Sequence, residues 1–251
     1  MKKLLFISDL FKNADHNAIE RIFNGYLKEF YEIDLIFFTK DDKEISYEEN
    51  KIFIPYSLKK EIQKHLNKHY DIIIVRNRFD ILKQFAKKDR DYKLGFQLSF
   101  PHTFRRYYEA QITKKSLFRK KIEYEIKNLY EKSLIKKCDF FLPISNAMKN
   151  LFYYDIQIDY FPLPLGIDPI NDTQKKKNSS EKINFIYIGA IDKLRRFDTI
   201  LKAFLNIDQN LYKFDIFTPH HIYANNLIQT IMPKNRSINL HSSLPRKELA
   251  K

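Results

Sequence analysis

Glycine is scarce in this chain, with four in 251 residues, and that argues against any function resting on a glycine-rich phosphate loop. Cysteine is scarcer still. The single Cys138 rules out an intrachain disulfide framework and fits a reducing compartment. Long apolar runs are missing too. The start Met1-Lys2-Lys3-Leu4-Leu5-Phe6-Ile7 has a charged head, but its apolar stretch stops at Ser8-Asp9, too short for a signal-peptide core. No run approaches the roughly 20 residues of a membrane-spanning helix. These absences predict a cytoplasmic protein, with peripheral attachment to the inner face of the cell membrane as a further expectation.

Apolar residues make up 44% of the sequence, with 22 Phe and 16 Tyr, enough for a packed core and unlike a disordered chain. The length suits one large domain or two. The formal charge is +14, which favours an anionic partner: nucleic acid, an acidic membrane or a phosphorylated ligand.

Strand and helix patterns alternate along the first 160 residues. Lys3 to Ser8 reads as a buried strand. Ala18, Ile19, Ile22, Phe23, Tyr26, Leu27 and Phe30 then recur at helical spacing. Strands are expected at 33–38, 51–54, 71–75, 92–98, 139–142 and 158–161. Asp71-Ile72-Ile73-Ile74-Val75 has no polar face, as in a parallel sheet covered on both sides. Helices are expected at 58–69 and 81–87, as one long helix within 104–137, and from a Ser145 cap to Phe152. Repeated β-α units of this kind predict a doubly wound parallel sheet. Pro162 to Pro169 is a stiff turn segment, and Asn171 to Lys182 is polar and lysine-rich. A second β-α series starts at Ile183. The expected division is a Rossmann-like domain over 1–165, a linker over 166–182, and the start of a second such domain over 183–251. Only about 70 residues follow the linker, against the ~100–150 usual for a domain, so that domain is expected to be truncated.

Three segments, in order, resemble the GT-B glycosyltransferases, in particular family 4 (group 1), which includes many bacterial surface-polysaccharide enzymes. They are Cys138-Asp139-Phe140-Phe141-Leu142-Pro143-Ile144-Ser145, the crossover Phe161-Pro162-Leu163-Pro164-Leu165-Gly166-Ile167-Asp168, and Phe185 to Gly189 followed by Arg195-Arg196-Phe197-Asp198. Ile238 to Leu249 is similar to a further family element. The resemblance implies an α/β fold of two Rossmann-like domains, the second incomplete here. It implies transfer of a sugar, of hexosyl type, from a nucleotide-diphosphate sugar to a hydroxyl of a cell-surface glycan or lipid-linked acceptor. No metal and no covalently bound cofactor is implied. The departures are specific. The loop Leu10 to Asn17 lacks the family's glycine pair, Ala190 stands where the family has Arg, and Arg195-Arg196 replaces its Lys-Gly. The family's paired donor-binding glutamates would lie beyond residue 251, so these residues alone are expected to bind donor weakly and transfer inefficiently.

The chemistry needs positive charge on the leaving diphosphate. Gly189, Lys193, Arg195 and Arg196 sit between a strand end and a helix start, where an anion would bind; a solvated basic turn is the plainer alternative. His102 follows a strand end and could orient a hydroxyl or share a proton, or be an ordinary loop histidine. Asp9 could serve as a base or cap the next helix. Lys12 and His16 are candidates for the acceptor side, and so is Ser145, first as a cap. His65, His69, His220 and His221 read better as surface residues than as metal ligands. Cys138 reads as a buried thiol, and Asp139 as ordering the start of its strand. The basic, aromatic stretch from Tyr107 to Lys137 could lie on anionic lipid, bind nucleic acid, or be a core helix with a solvated basic face. For the molecule as a whole, a membrane surface is the expected partner besides nucleotide sugar and glycan acceptor, ahead of nucleic acid. The alternatives to an enzyme are a basic, non-catalytic α/β module that binds nucleic acid or anionic lipid, and a degenerate glycosyltransferase-like partner.

Overall fold

The computed structural model describes residues 1–14, 16–114, 116–164 and 182–243. The chain divides into two compact units, Met1–Tyr107 with Ser116–Pro169, and Tyr108–Lys115 with Ile170–Lys251. Gly166, Asp168, the lysine-rich 171–181 stretch and the helix expected after Leu244 lie outside the described residues.

The first unit is built on an eight-stranded sheet. Its strands are β1 (Lys2–Phe11), β2 (Tyr31–Thr39), β3 (Ser46–Glu48), β4 (Lys51–Pro55), β5 (Ile72–Arg76), β6 (Lys93–Leu98), β7 (Phe140–Pro143) and β8 (Asp159–Tyr160). Their spatial order is β3-β4-β2-β1-β5-β6-β7-β8, all neighbours parallel except the β3–β4 pair. The absence of a polar face on the central strands has a direct cause. Leu5, Ile7, Ile73, Val75, Phe96 and Phe141 pack on one side with Ile81, Leu82 and Phe85 of α2 (Phe79–Phe85), Leu134 and Ile135, and Met148. Leu4, Phe6, Leu35, Phe37 and Ile74 pack on the other with Ile19 and Phe23. Each such side chain fully withdrawn from water contributes roughly 1.5–3 kcal/mol before chain entropy is counted. The sheet is doubly wound. Gly95 leaves room for its register partner: a Cβ there would collide with the Phe140 ring.

Three helical expectations are corrected. The segment after β1 is not one amphipathic helix. It is α1 (Asn17–Glu20), then a π-helical turn Arg21–Tyr26, then a 3₁₀ turn Leu27–Glu29. The wide turn contains Gly25, and Tyr26 at its end and Phe30 after the 3₁₀ turn are exposed. The 58–69 stretch is two 3₁₀ turns, Tyr56–Leu58 and Ile62–His65. The long helix is two, α3 (His102–Thr113) and α4 (Leu117–Ile135), broken where Lys114 and Ser116 take left-handed backbone. Ser145 does cap α5 (Asn146–Phe152), accepting from Met148 N at 3.2 Å. Asp139 does order a strand start, accepting from Leu94 N at 2.7 Å and Arg90 at 2.8 Å. The Cys138 thiol is buried, and burial pushes its pKa up to about 12.

The second unit holds a three-stranded parallel sheet of β9 (Ile183–Ile188), β10 (Tyr212–Thr218) and β11 (Ile238–Ser242), in the order β11-β10-β9. Phe197, Leu201 and Phe204 of α6 (Phe197–Phe204) and Ala224 and Ile228 of α7 (His221–Ile231) cover Tyr212, Phe214 and Ile216. On the opposite face Ile186 and Ile188 are exposed.

Candidate active site

In the large sheet the chain steps from β1 outward through β2 to β4, then returns to the other side of β1 with β5. The strand order reverses between β1 and β5, and the C-terminal ends of strands at such a point form a crevice where open α/β sheets bind ligands. Asp9 lies there. The β1–β2 register shifts between Ile7 and Phe11, and Ser8 Oγ accepts from Leu10 N at 3.0 Å, so a bulge stands where a glycine turn would be needed.

Both Asp9 oxygens are occupied. Arg76 Nη1 donates to Oδ1 at 2.7 Å, and Asn77 Nδ2 donates to Oδ2 at 3.0 Å. Asn77 also donates to Ser99 Oγ at 2.7 Å and accepts from Ser99 N at 2.8 Å. Its own N–H reaches the Gln97 carbonyl at 2.9 Å. Asn77 is buried with φ +56°, a left-handed conformation that asparagine tolerates better than most residues. This network ties the ends of β1, β5 and β6 together. Asp9 caps no helix; His16 occupies the position before α1. Both oxygens are taken up in bonds that hold the strand ends, so the geometry gives Asp9 a bracing part. Arg76, Asn77 and Ser99 had no signal in the sequence beyond lying at strand ends.

His102 begins α3 beside this network. Desolvation lowers its pKa below the ordinary histidine value, against the opposing pull of Asp9 and with help from Arg105, Arg76 and Arg78. The residue is exposed, so the desolvation is partial. A depressed imidazole is neutral near pH 7 and can accept a proton. His102 also lines a cavity of about 550 Å³ with Asp80, Thr103, Arg106, Tyr107, Lys120, Glu123, Tyr124, Lys127 and Glu131.

Glu131 is the buried carboxyl of that cavity. Burial raises its pKa to about 6 from 4.5, although the Thr103 hydroxyl donates to it. Between about pH 4.5 and 6 the folded protein therefore holds more protons here than the unfolded chain, and stability from this site falls as pH rises through that window. Glu131→Gln is expected to be more stable than the native protein by up to about 2 kcal/mol above pH 6, with the difference vanishing below pH 4.5. Urea unfolding of both proteins across pH 4–8 checks this.

The other first-unit candidates are not gathered at His102. Lys12 leans the other way, pairing with Glu48 at 2.5 Å and lying 4.3 Å over the Phe53 ring. His16 stacks on Phe37 at 4.0 Å and bonds the Phe11 carbonyl at 2.7 Å, which closes the loop after β1. Ser145 Oγ is engaged as the α5 cap.

In the second unit a hollow of about 610 Å³ opens where β9 and β10 end, lined by Ile191, Asp192, Lys193, Pro219, His220, His221, Ile222 and Tyr223. The first turn of α7 forms one wall, and the amides of a first helical turn have no partner within the helix. His220 Nδ1 lies 2.7 Å from the Ile191 carbonyl and links the two walls. Gly189 has φ +153°, and its N–H bonds Phe217 O at 3.0 Å, while Tyr187 Oη donates to Ala190 O at 2.8 Å across the turn. Lys193 therefore comes together with the α7 N-terminus. Arg195 and Arg196 do not line this hollow. Asp192 Oδ1 accepts from Arg195 N at 2.9 Å, and the Arg196 guanidinium is held by Asp198. His220 and His221 thus flank a hollow, a placement their sequence position did not reveal. Among the described residues no three His, Cys, Asp or Glu side chains cluster as a metal site would need.

No protein-family model and no curated protein matches the sequence. Solved structures do. The lipopolysaccharide outer core galactosyltransferase WaaB, in its apo form, aligns with a TM-score of 0.58 at 14% identity, over 99% of this chain and 70% of its own. The α,α-trehalose 6-phosphate synthase of Burkholderia multivorans aligns with a TM-score of 0.56 at 9% identity, over 100% and 74%. S. aureus MnaA, in a co-structure with UDP, aligns with a TM-score of 0.55 at 14% identity, over 100% and 71%. The chain has the GT-B fold. At such identities the likeness carries the architecture, and the chemistry has to be argued from the site.

Proposed function

We propose that this GT-B chain serves transfer of a sugar from a nucleoside-diphosphate donor to a hydroxyl of a surface glycan or lipid-linked acceptor. The observation that carries this reading is the hollow at the ends of β9 and β10, where Lys193 meets the first turn of α7. That is a place for a diphosphate: the first-turn amides of a helix and an exposed cation supply positive charge as the leaving group gains it. In the reaction the bond from the anomeric carbon to the diphosphate oxygen breaks, and the diphosphate keeps the electron pair. The acceptor oxygen bonds to that carbon and gives up its proton. His102, neutral near pH 7, is the group we assign to receive it. Asp9 holds the strand ends that position His102. Charge from the protein suffices in this scheme, without a metal.

Isothermal titration of the chain with UDP, GDP, ADP and their sugar conjugates tests the reading. At least one should bind, and Lys193→Ala should weaken it about tenfold, the value of one charge-assisted hydrogen bond. Absence of heat with every nucleotide would end the proposal.

A further inference from the structure

Helix α4 shows its apolar stripe to solvent. Phe118, Ile122, Ile126 and Leu129 are spaced four, four and three residues apart, so they form one row along the helix. Phe118 is 80% exposed, Leu129 67% and Ile126 64%. The side that packs on the sheet is the opposite one, where Glu131, Leu134 and Ile135 are buried. The helix thus packs on the core through Leu134 and Ile135, while its apolar row stays exposed. Exposed Arg119 and Lys121 border the row, Lys137 stands exposed just past the end of the helix, and Lys136 beside it is paired with Asp155 at 3.3 Å. Glu125 is an acidic residue at its margin, while Glu123 is neutralised by Lys120 at 2.7 Å and Lys127 at 2.5 Å. Tyr154, 67% exposed, stands beside α4, with Lys132 Nζ 5.1 Å from its ring.

We infer that the exposed face of α4 docks on an anionic bilayer surface, its apolar row among the acyl chains and its basic borders on lipid phosphates. A contiguous exposed apolar row on a soluble chain marks an interaction site. Apolar row and cationic borders together match an interfacial helix lying in the headgroup plane. Charge decides the occupant. A second copy seated on the same face would bring Arg119 and Lys121 against their own counterparts, on a chain already carrying +14. A surface of anionic lipid meets them with the opposite sign. This inference does not depend on the sugar-transfer reading.

The chain has no tryptophan, so Phe118→Trp introduces a single fluorophore on the row. Its emission should shift to the blue with vesicles of phosphatidylcholine containing about a third phosphatidylglycerol, much less with phosphatidylcholine alone, and the shift should weaken as salt rises. Tyr47→Trp, on exposed β3 away from α4, should not shift. In co-sedimentation, the combined Phe118→Ser, Ile126→Ser and Leu129→Ser variant should lose at least about tenfold in vesicle affinity. Removing Arg119 and Lys121 as glutamines should cost on the order of fivefold for each charge. No blue shift of Phe118→Trp with anionic vesicles at low salt would overturn the inference. So would equal binding by the folded triple-serine variant, or a native dimer dispersed by that variant with no lipid binding by either.

Discussion

Asp9→Ala should lower the unfolding free energy by about 2–3 kcal/mol, read as a drop in urea midpoint with an unchanged slope. The reason is what it leaves behind. The Arg76 side chain is 11% exposed and Asp9 20%. Without the carboxylate, a largely buried guanidinium keeps its desolvation cost and loses its counter-charge. Removing one member of a fully buried pair costs roughly 3–5 kcal/mol, and the partial exposure here reduces that. Asn77 Nδ2 retains Ser99, so its loss is small. Asp9→Asn separates brace from base. The amide oxygen can still accept from Arg76, so most of the stability should return, and a bracing role predicts that activity returns with it. Stability without activity would instead make Asp9 the proton acceptor.

His102→Ala should lower kcat for sugar transfer about 100-fold, the lower end of what a positioned acid–base group supplies. KM for the nucleotide sugar should hardly move, because His102 does not line the hollow proposed for the diphosphate. Thermal stability should be preserved, since the residue is exposed at the start of α3. The native pH profile should carry a rising limb below the ordinary histidine range, as the lowered pKa of His102 requires, and the variant should lack it. A variant that loses only nucleotide affinity would remove His102 from the chemistry.

The sheet was legible because its signal is local. Ile72 to Val75 are apolar without alternation, and both faces of that strand prove to be covered. Ser145 was legible as a cap because capping acts over three residues. The break between α3 and α4 was not: Lys114 and Ser116 hold left-handed backbone without the glycine that announces it. Short β3 escaped notice because it has three residues and one register partner strand. The site divided in the same way. His102 and Lys193 could be placed from strand ends. The partners of Asp9 could not, because Arg76 and Asn77 lie 67 and 68 residues away and meet it only through the strand order. The α4 row showed the opposite failure. Its period was clear, but period alone does not say which side of a helix is wet.

The central position of β1 bears on how the chain comes to be made. Its neighbours are β2 and β5, and Ile7 meets Val75 only once the fifth strand exists. At roughly 5–20 residues per second of synthesis, Leu4 to Ile7 wait several seconds for their second neighbour. During that wait an apolar strand with an open edge is a template for mispairing. Parallel partners so far apart in the chain also close late and slowly. The N-terminal residues that anchor the finished sheet are thus the ones a nascent chain has most need to shield.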